Sequence, residues 1–140
     1  MIERIAHIAI AVRDLETSKK LFGKLLGVPV DHEEVVEQQH VRTAIFRVGE
    51  TALELLEGTD SDSSVRKFVE KKGEGIHHIS FVVDDVAKEA DRLKQAGFEL
   101  VGDPRPGVED TLVAFFHPRS TNGVLIEISQ NMGEKKAGKD

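Results

Sequence analysis

Four residues of this 140-residue chain have types and spacings that could hold a metal ion: His7, Glu54, His78 and Glu127. They come as two pairs. His7 stands in Ile5-Ala6-His7-Ile8-Ala9-Ile10-Ala11-Val12, and His78 in Ile76-His77-His78-Ile79-Ser80-Phe81-Val82-Val83. A shift of 71 positions lays His78 on His7, Val83 on Val12 and Asp85 on Asp14. Glu54 follows His7 by 47 positions within Leu53-Glu54-Leu55-Leu56. Glu127 follows His78 by 49 within Leu125-Ile126-Glu127-Ile128. Two imidazoles and two carboxylates suit Zn²⁺, Co²⁺, Mn²⁺ or Ni²⁺, with coordination positions left for water or substrate. A carboxylate set among aliphatics is costly to ionise alone, so a cation is its natural partner. One histidine in a strand, or one glutamate facing water from it, needs no metal. Repetition of both at nearly equal spacing argues for ligation.

The elements that must carry these donors are legible in the apolar pattern. Strands are expected over residues 5–12, 30–36, 41–48 and 51–57, around a helix over 15–26 that Asp14 caps and Gly27 ends. Leu15, Phe22, Leu25 and Leu26 fall near one face of that helix. The order then repeats: a strand over 76–83, a helix over 86–96, and strands over 98–101, 111–116 and 124–129. A helix over about 62–72 links the halves, after a polar stretch at 59–64. Pro104 and Pro106, on either side of Arg105, predict a long loop over 103–110. A second loop runs from His117 to Gly123, and both loops could cover a site. The fold class is therefore α+β, with two tandem β-α-β-β-β modules at about 3–58 and 75–130 in one domain over 1–132. Residues 133–140 read as a disordered tail.

Alternation along a strand sends every second side chain to one face. His7 then shares a face with Ala9 and Ala11, and His78 with Ser80 and Val82, small neighbours that leave room above the sheet. If the modules pair about a pseudo-two-fold axis, all four donors converge in one sheet-lined cavity. His77 alternates away and reads as structural. His32, His40 and His117 have no counterpart in the other half. Lys71, Lys72, Arg105 and Arg119 could meet an anionic substrate, although each alone reads as a solvated charge.

Composition narrows the function further. Hydrophobic residues make up 39% of the chain, enough for a core, and the net charge of −6 argues against a nucleic-acid partner. There is no cysteine, which removes thiolate metal sites and thiol nucleophiles. No apolar run approaches the roughly 18–20 residues of a membrane span and no signal-peptide pattern opens the chain, so no membrane contact and a cytoplasmic location are expected. Nucleophile-elbow, phosphate-loop and dinucleotide-binding signatures are absent.

Paired modules with one His and one Glu apiece resemble the vicinal oxygen chelate superfamily, which includes glyoxalase I, extradiol dioxygenases and bleomycin-resistance proteins. Within it, several segments are similar to the methylmalonyl-CoA epimerases. They are Lys71-Lys72-Gly73-Glu74-Gly75-Ile76-His77-His78-Ile79, His117-Pro118-Arg119-Ser120-Thr121 and Gly123-Val124-Leu125-Ile126-Glu127. The similarity runs from about residue 4 to 130. It implies a glyoxalase-like fold, with His7, Glu54, His78 and Glu127 as ligands to a divalent metal, Co²⁺ first and Mn²⁺, Ni²⁺ or Zn²⁺ as alternatives. It also implies an acyl-CoA substrate, a place in propionate metabolism, a homodimer, and interconversion of (R)- and (S)-methylmalonyl-CoA. Glu127 would be the first acid/base, with Glu54 its opposite-face partner or a plain ligand.

One departure stands out. Some epimerases carry a further glutamate, proposed as a base, on the strand matching residues 41–46. Thr43 is nearest here, and a hydroxyl is no base at neutral pH. The rival within the superfamily is a glyoxalase I-like lactoylglutathione lyase, which could use the same ligand types; the His77-His78 and Glu127 blocks favour the epimerase. A metal-free binding protein of the bleomycin-resistance kind ranks lower, since all four donors are present and Trp and Tyr are absent.

Overall fold

The computed structural model describes residues 1–133, so all but the first residue of the expected tail lies outside the described residues. Eight strands and three helices follow one another in the repeated order. The strands are β1 (Ile2–Ala11), β2 (His32–Val36), β3 (Val41–Val48), β4 (Thr51–Gly58), β5 (Gly75–Val83), β6 (Leu100–Pro106), β7 (Thr111–Phe116) and β8 (Leu125–Asn131). The helices are α1 (Leu15–Leu26), α2 (Ser64–Lys72) and α3 (Val86–Gln95). The chain forms two compact units, one of residues 7–77 and one of residues 1–6 with the chain from His78 onward.

In the first unit the strand order is β2-β3-β4-β1, with β1 parallel to β4 and β3 antiparallel to both neighbours. Local signals set the helix between them. The Asp14 carboxylate accepts from the Glu16 and Thr17 amides, satisfying donors that the first turn leaves open. Gly27 ends the helix in the left-handed region at φ 71°, where a side chain would be strained. Leu15, Phe22 and Leu26 pack on Val12, Ala44, Phe46 and Leu55. Leu25, expected on that face, is 72% exposed instead. At about 100° per residue it lies roughly 60° around the helix from Phe22, past the sheet. On the opposite face, Val65 and Val69 of α2 cover Ala9, Ala11, Val41 and Leu56.

The second unit repeats the design as β5-β8-β7-β6, with β5 parallel to β8 and the other pairs antiparallel. Asp85 caps α3 through the Lys88 amide, and the Val86 amide donates to the Gln130 side chain at 3.0 Å. Val86 and Ala90 bury against Ala114, Phe116 and Ile128. Half of the loop expected over 103–110 is strand, because β6 runs to Pro106. Val101 pairs with Phe115 and Arg105 with Val113, so four residues of β6 span two of β7. Two features permit this. β6 ends the strand order, where a proline sacrifices no ladder hydrogen bond, and Gly102 at φ 68° takes up the irregularity.

Candidate metal centre

The half-site in the first unit follows from register. Ala9 lies opposite Glu54 and Ala11 opposite Leu56, so His7, two residues before Ala9, shares the Glu54 face. Across β3, Ile45 lies opposite Glu54 and Thr43 opposite Leu56, which brings Thr43 to the same face. The face turned away from α1 thus carries a histidine, a carboxylate and a hydroxyl. His7 Nδ1 stands 3.3 Å from Glu54 Oε2, with the side chains 20% and 19% exposed. Burial pushes the His7 imidazole down to about 4. At neutral pH the ring is uncharged, the state a metal ligand needs. The Thr43 hydroxyl is buried and makes no hydrogen bond.

The second unit builds its half-site the same way. Ser80 lies opposite Glu127 across the parallel β5–β8 pair, and His78 precedes Ser80 by two residues. His78, Ser80 and Glu127 therefore share a face, the one turned away from α3. Phe115 lies opposite Glu127 from the other side. Burial pushes the Glu127 carboxyl up from its ordinary value; the neighbouring Ser80 hydroxyl and the Arg105 guanidinium act against that rise. Ser80 is wholly buried, and its hydroxyl makes no hydrogen bond of full geometry. A carboxylate so poorly solvated fits a divalent cation, which would offset the cost of its charge. Neutral imidazole and carboxylate are also the donor types that borderline divalent ions take.

The other histidines have local duties. His40, in the left-handed region at φ 54°, meets Asp60 at 2.9 Å. His117 Nδ1 accepts from the Arg119 amide at 3.0 Å and caps a short 3-10 turn. His32 lies 3.7 Å from Glu34, and His77 meets the Phe68 ring edge-on at 5.0 Å. Of the candidate anion contacts, Arg119 is committed to Glu99 through bonds of 2.8 and 3.0 Å. Lys72 lies over Phe68. A cleft of 520 Å³ lined by Arg13, Glu57, Arg66 and Glu70, among others, includes none of the four donors. Sequence reasoning placed Ser80 beside His78 but gave its hydroxyl no role. The missing signal was its register with Glu127, which no local pattern carries.

The comparisons with known proteins agree on a family. The sequence profile of the Glyoxalase/Bleomycin resistance protein/Dioxygenase superfamily matches residues 6–115. The chain is 39% identical to an ethylmalonyl-CoA/methylmalonyl-CoA epimerase of Cereibacter sphaeroides, over 93% of this chain and 99% of that one. It is 38% identical to an uncharacterised Bacillus subtilis protein, YqjC, over 94% and 95% of the two chains. Among solved structures, a variant of Streptomyces coelicolor methylmalonyl-CoA epimerase in complex with 2-nitronate-propionyl-CoA superposes with a TM-score of 0.84. The two are 36% identical, over 95% of this chain and 97% of that one.

Proposed function

The chain belongs to the Glyoxalase/Bleomycin resistance protein/Dioxygenase superfamily, and on that premise we propose that it epimerises methylmalonyl-CoA with a divalent cation held by His7, Glu54, His78 and Glu127. The observation that carries this reading is the twofold recurrence of the donors. Each unit sets one His and one Glu on the sheet face opposite its own helix α1 or α3. Relatives that match this chain along nearly all of its length bear the epimerase name.

When bound, the cation supplies a Lewis acid that stabilises the negative charge building on the thioester oxygen as the α-proton leaves. The chain's own residues do the rest. Inversion needs a proton acceptor on one face of the planar α-carbon and a donor on the other. A carboxylate oxygen of Glu127 takes the proton from one face, and Glu54, from the other unit, serves the opposite face. Burial keeps His7 neutral and so available as a ligand rather than as an acid. Thr43 contributes a hydroxyl on the Glu54 face, not a base. Co²⁺ is the ion we would add first, and the reading sets the enzyme in the cytoplasm as a homodimer in propionate metabolism. No helix among the described residues is long and apolar enough to cross a membrane.

The test is α-proton exchange of methylmalonyl-CoA in D₂O, with chelator-treated protein, after Co²⁺ or Mn²⁺ is returned, and with Glu127→Gln. Metal-dependent deuterium uptake with loss of optical purity is expected, and the loss of optical purity should collapse in the variant. No exchange with any added metal would overturn the reading.

A further inference from the structure

We propose that Arg105 recognises the free carboxylate of the acyl-CoA substrate, an assignment that rests on the epimerase reading above. Two observations place the guanidinium there. First, register sets its face. Arg105 lies opposite Val113, Phe115 follows Val113 by two residues, and Phe115 lies opposite Glu127. Residues opposite one another in a sheet, or two apart on a strand, share a face, so Arg105 stands on the face of Glu127. Second, the guanidinium is held in place without an acid. It lies over the Phe115 ring with its central carbon 5.0 Å from the centroid. Among the described residues its hydrogen bonds are long, 3.4 and 3.5 Å, to the carbonyls of Val101 and Asp103. A Cβ added at Gly102 would come within 3.0 Å of Arg105 Nη1, so the glycine leaves the guanidinium its room.

Stacking on an aromatic ring fixes the plane of a guanidinium while leaving its edge donors open. Arg119, by contrast, spends its edge on Glu99. An arginine with a fixed plane, no carboxylate partner among the described residues and a position beside the acid/base is built to take a planar anion edge-on. A substrate that carries a carboxylate on the carbon being deprotonated supplies such an anion on the face of the acid/base. The phosphates of CoA are the other anionic source, and the test separates the two.

Affinities of the metal-loaded protein for methylmalonyl-CoA, propionyl-CoA and CoA would be measured by calorimetry, for wild type, Arg105→Met and Arg105→Lys. Propionyl-CoA differs from methylmalonyl-CoA in lacking the free carboxylate. We expect Arg105→Met to weaken methylmalonyl-CoA by about 10- to 100-fold, the range for loss of a charged hydrogen bond. Propionyl-CoA and CoA should stay within about twofold, and Arg105→Lys should recover part of the loss, since an ammonium keeps the charge but not the fork. Equal losses for all three ligands would reassign Arg105 to phosphate and overturn the proposal, and no loss for any would do the same. Wild type that binds methylmalonyl-CoA no better than propionyl-CoA would instead bring down the epimerase reading, and this assignment with it.

Discussion

Ser80 lies directly opposite Glu127 across the β5–β8 pair, a wholly buried hydroxyl beside a carboxyl that burial raises. Because the hydroxyl makes no hydrogen bond of full geometry, its removal leaves no stranded partner. Ser80→Ala should therefore change the unfolding free energy of the metal-free protein by less than about 1 kcal/mol. Glu127 should then titrate higher still, since one influence that lowers it is gone. Urea unfolding and a carboxyl-carbon NMR titration would check both halves. A loss of several kcal/mol would show the hydroxyl to be bonded after all.

Acid should destabilise the metal-free protein through His7. Its folded pKa of about 4 lies below the ordinary 6.5. Between those values the unfolded chain binds the extra proton, so stability rises with pH across this window. It is fully present above about 6.5 and lost as pH falls towards 4, for a total of about 3 kcal/mol at most. Glu127 acts with the opposite sign, because its raised pKa means that protonation relieves its burial. The difference between wild type and His7→Asn, in urea melts from pH 7 to 4 with a chelator present, isolates the histidine. Parallel curves for the two proteins would rule its contribution out.

The two glutamates should separate kinetically. Glu127→Gln is expected to slow α-proton exchange of the epimer whose proton faces it by about 10²- to 10⁴-fold, the usual weight of a general base. With Glu54→Gln, one epimer should still exchange its proton while its conversion to the other collapses. Deuterium uptake into each pure epimer, read beside optical rotation, distinguishes the cases. Equal effects on both epimers would make Glu54 a ligand only.

Gly58→Ala should loosen α2. A Cβ there would lie 2.5 Å from Ser63 Oγ and 2.6 and 2.8 Å from Arg66 Cβ and the Arg66 amide nitrogen. The helix start would have to move off the end of β4, at about 1–3 kcal/mol by the usual scale of overpacking. Thermal melts and amide exchange across residues 63–69 would register it. Unchanged protection there would mean that the turn adapts freely.

Much of this protein was written locally. The 71-residue repeat, the caps at Asp14 and Asp85 and the stop at Gly27 each act over a few residues. Strand alternation set His7 on one face of its strand with Ala9 and Ala11, and His78 with Ser80; register then brought Glu54 and Glu127 to those faces. What tertiary structure decided were relations between strands. The prolines of β6 read as a loop because a lone segment cannot know that it will lie at a sheet edge, where a missing amide costs no pairing. Only that pairing turned Arg105 to the Glu127 face and set its guanidinium over Phe115, while Arg119 went to Glu99. Burial, and with it the neutrality of His7 and the raised carboxyl of Glu127, likewise depends on distant atoms gathered around each group. Side-chain direction is a property of the strand, but solvation and partnership belong to the packed fold.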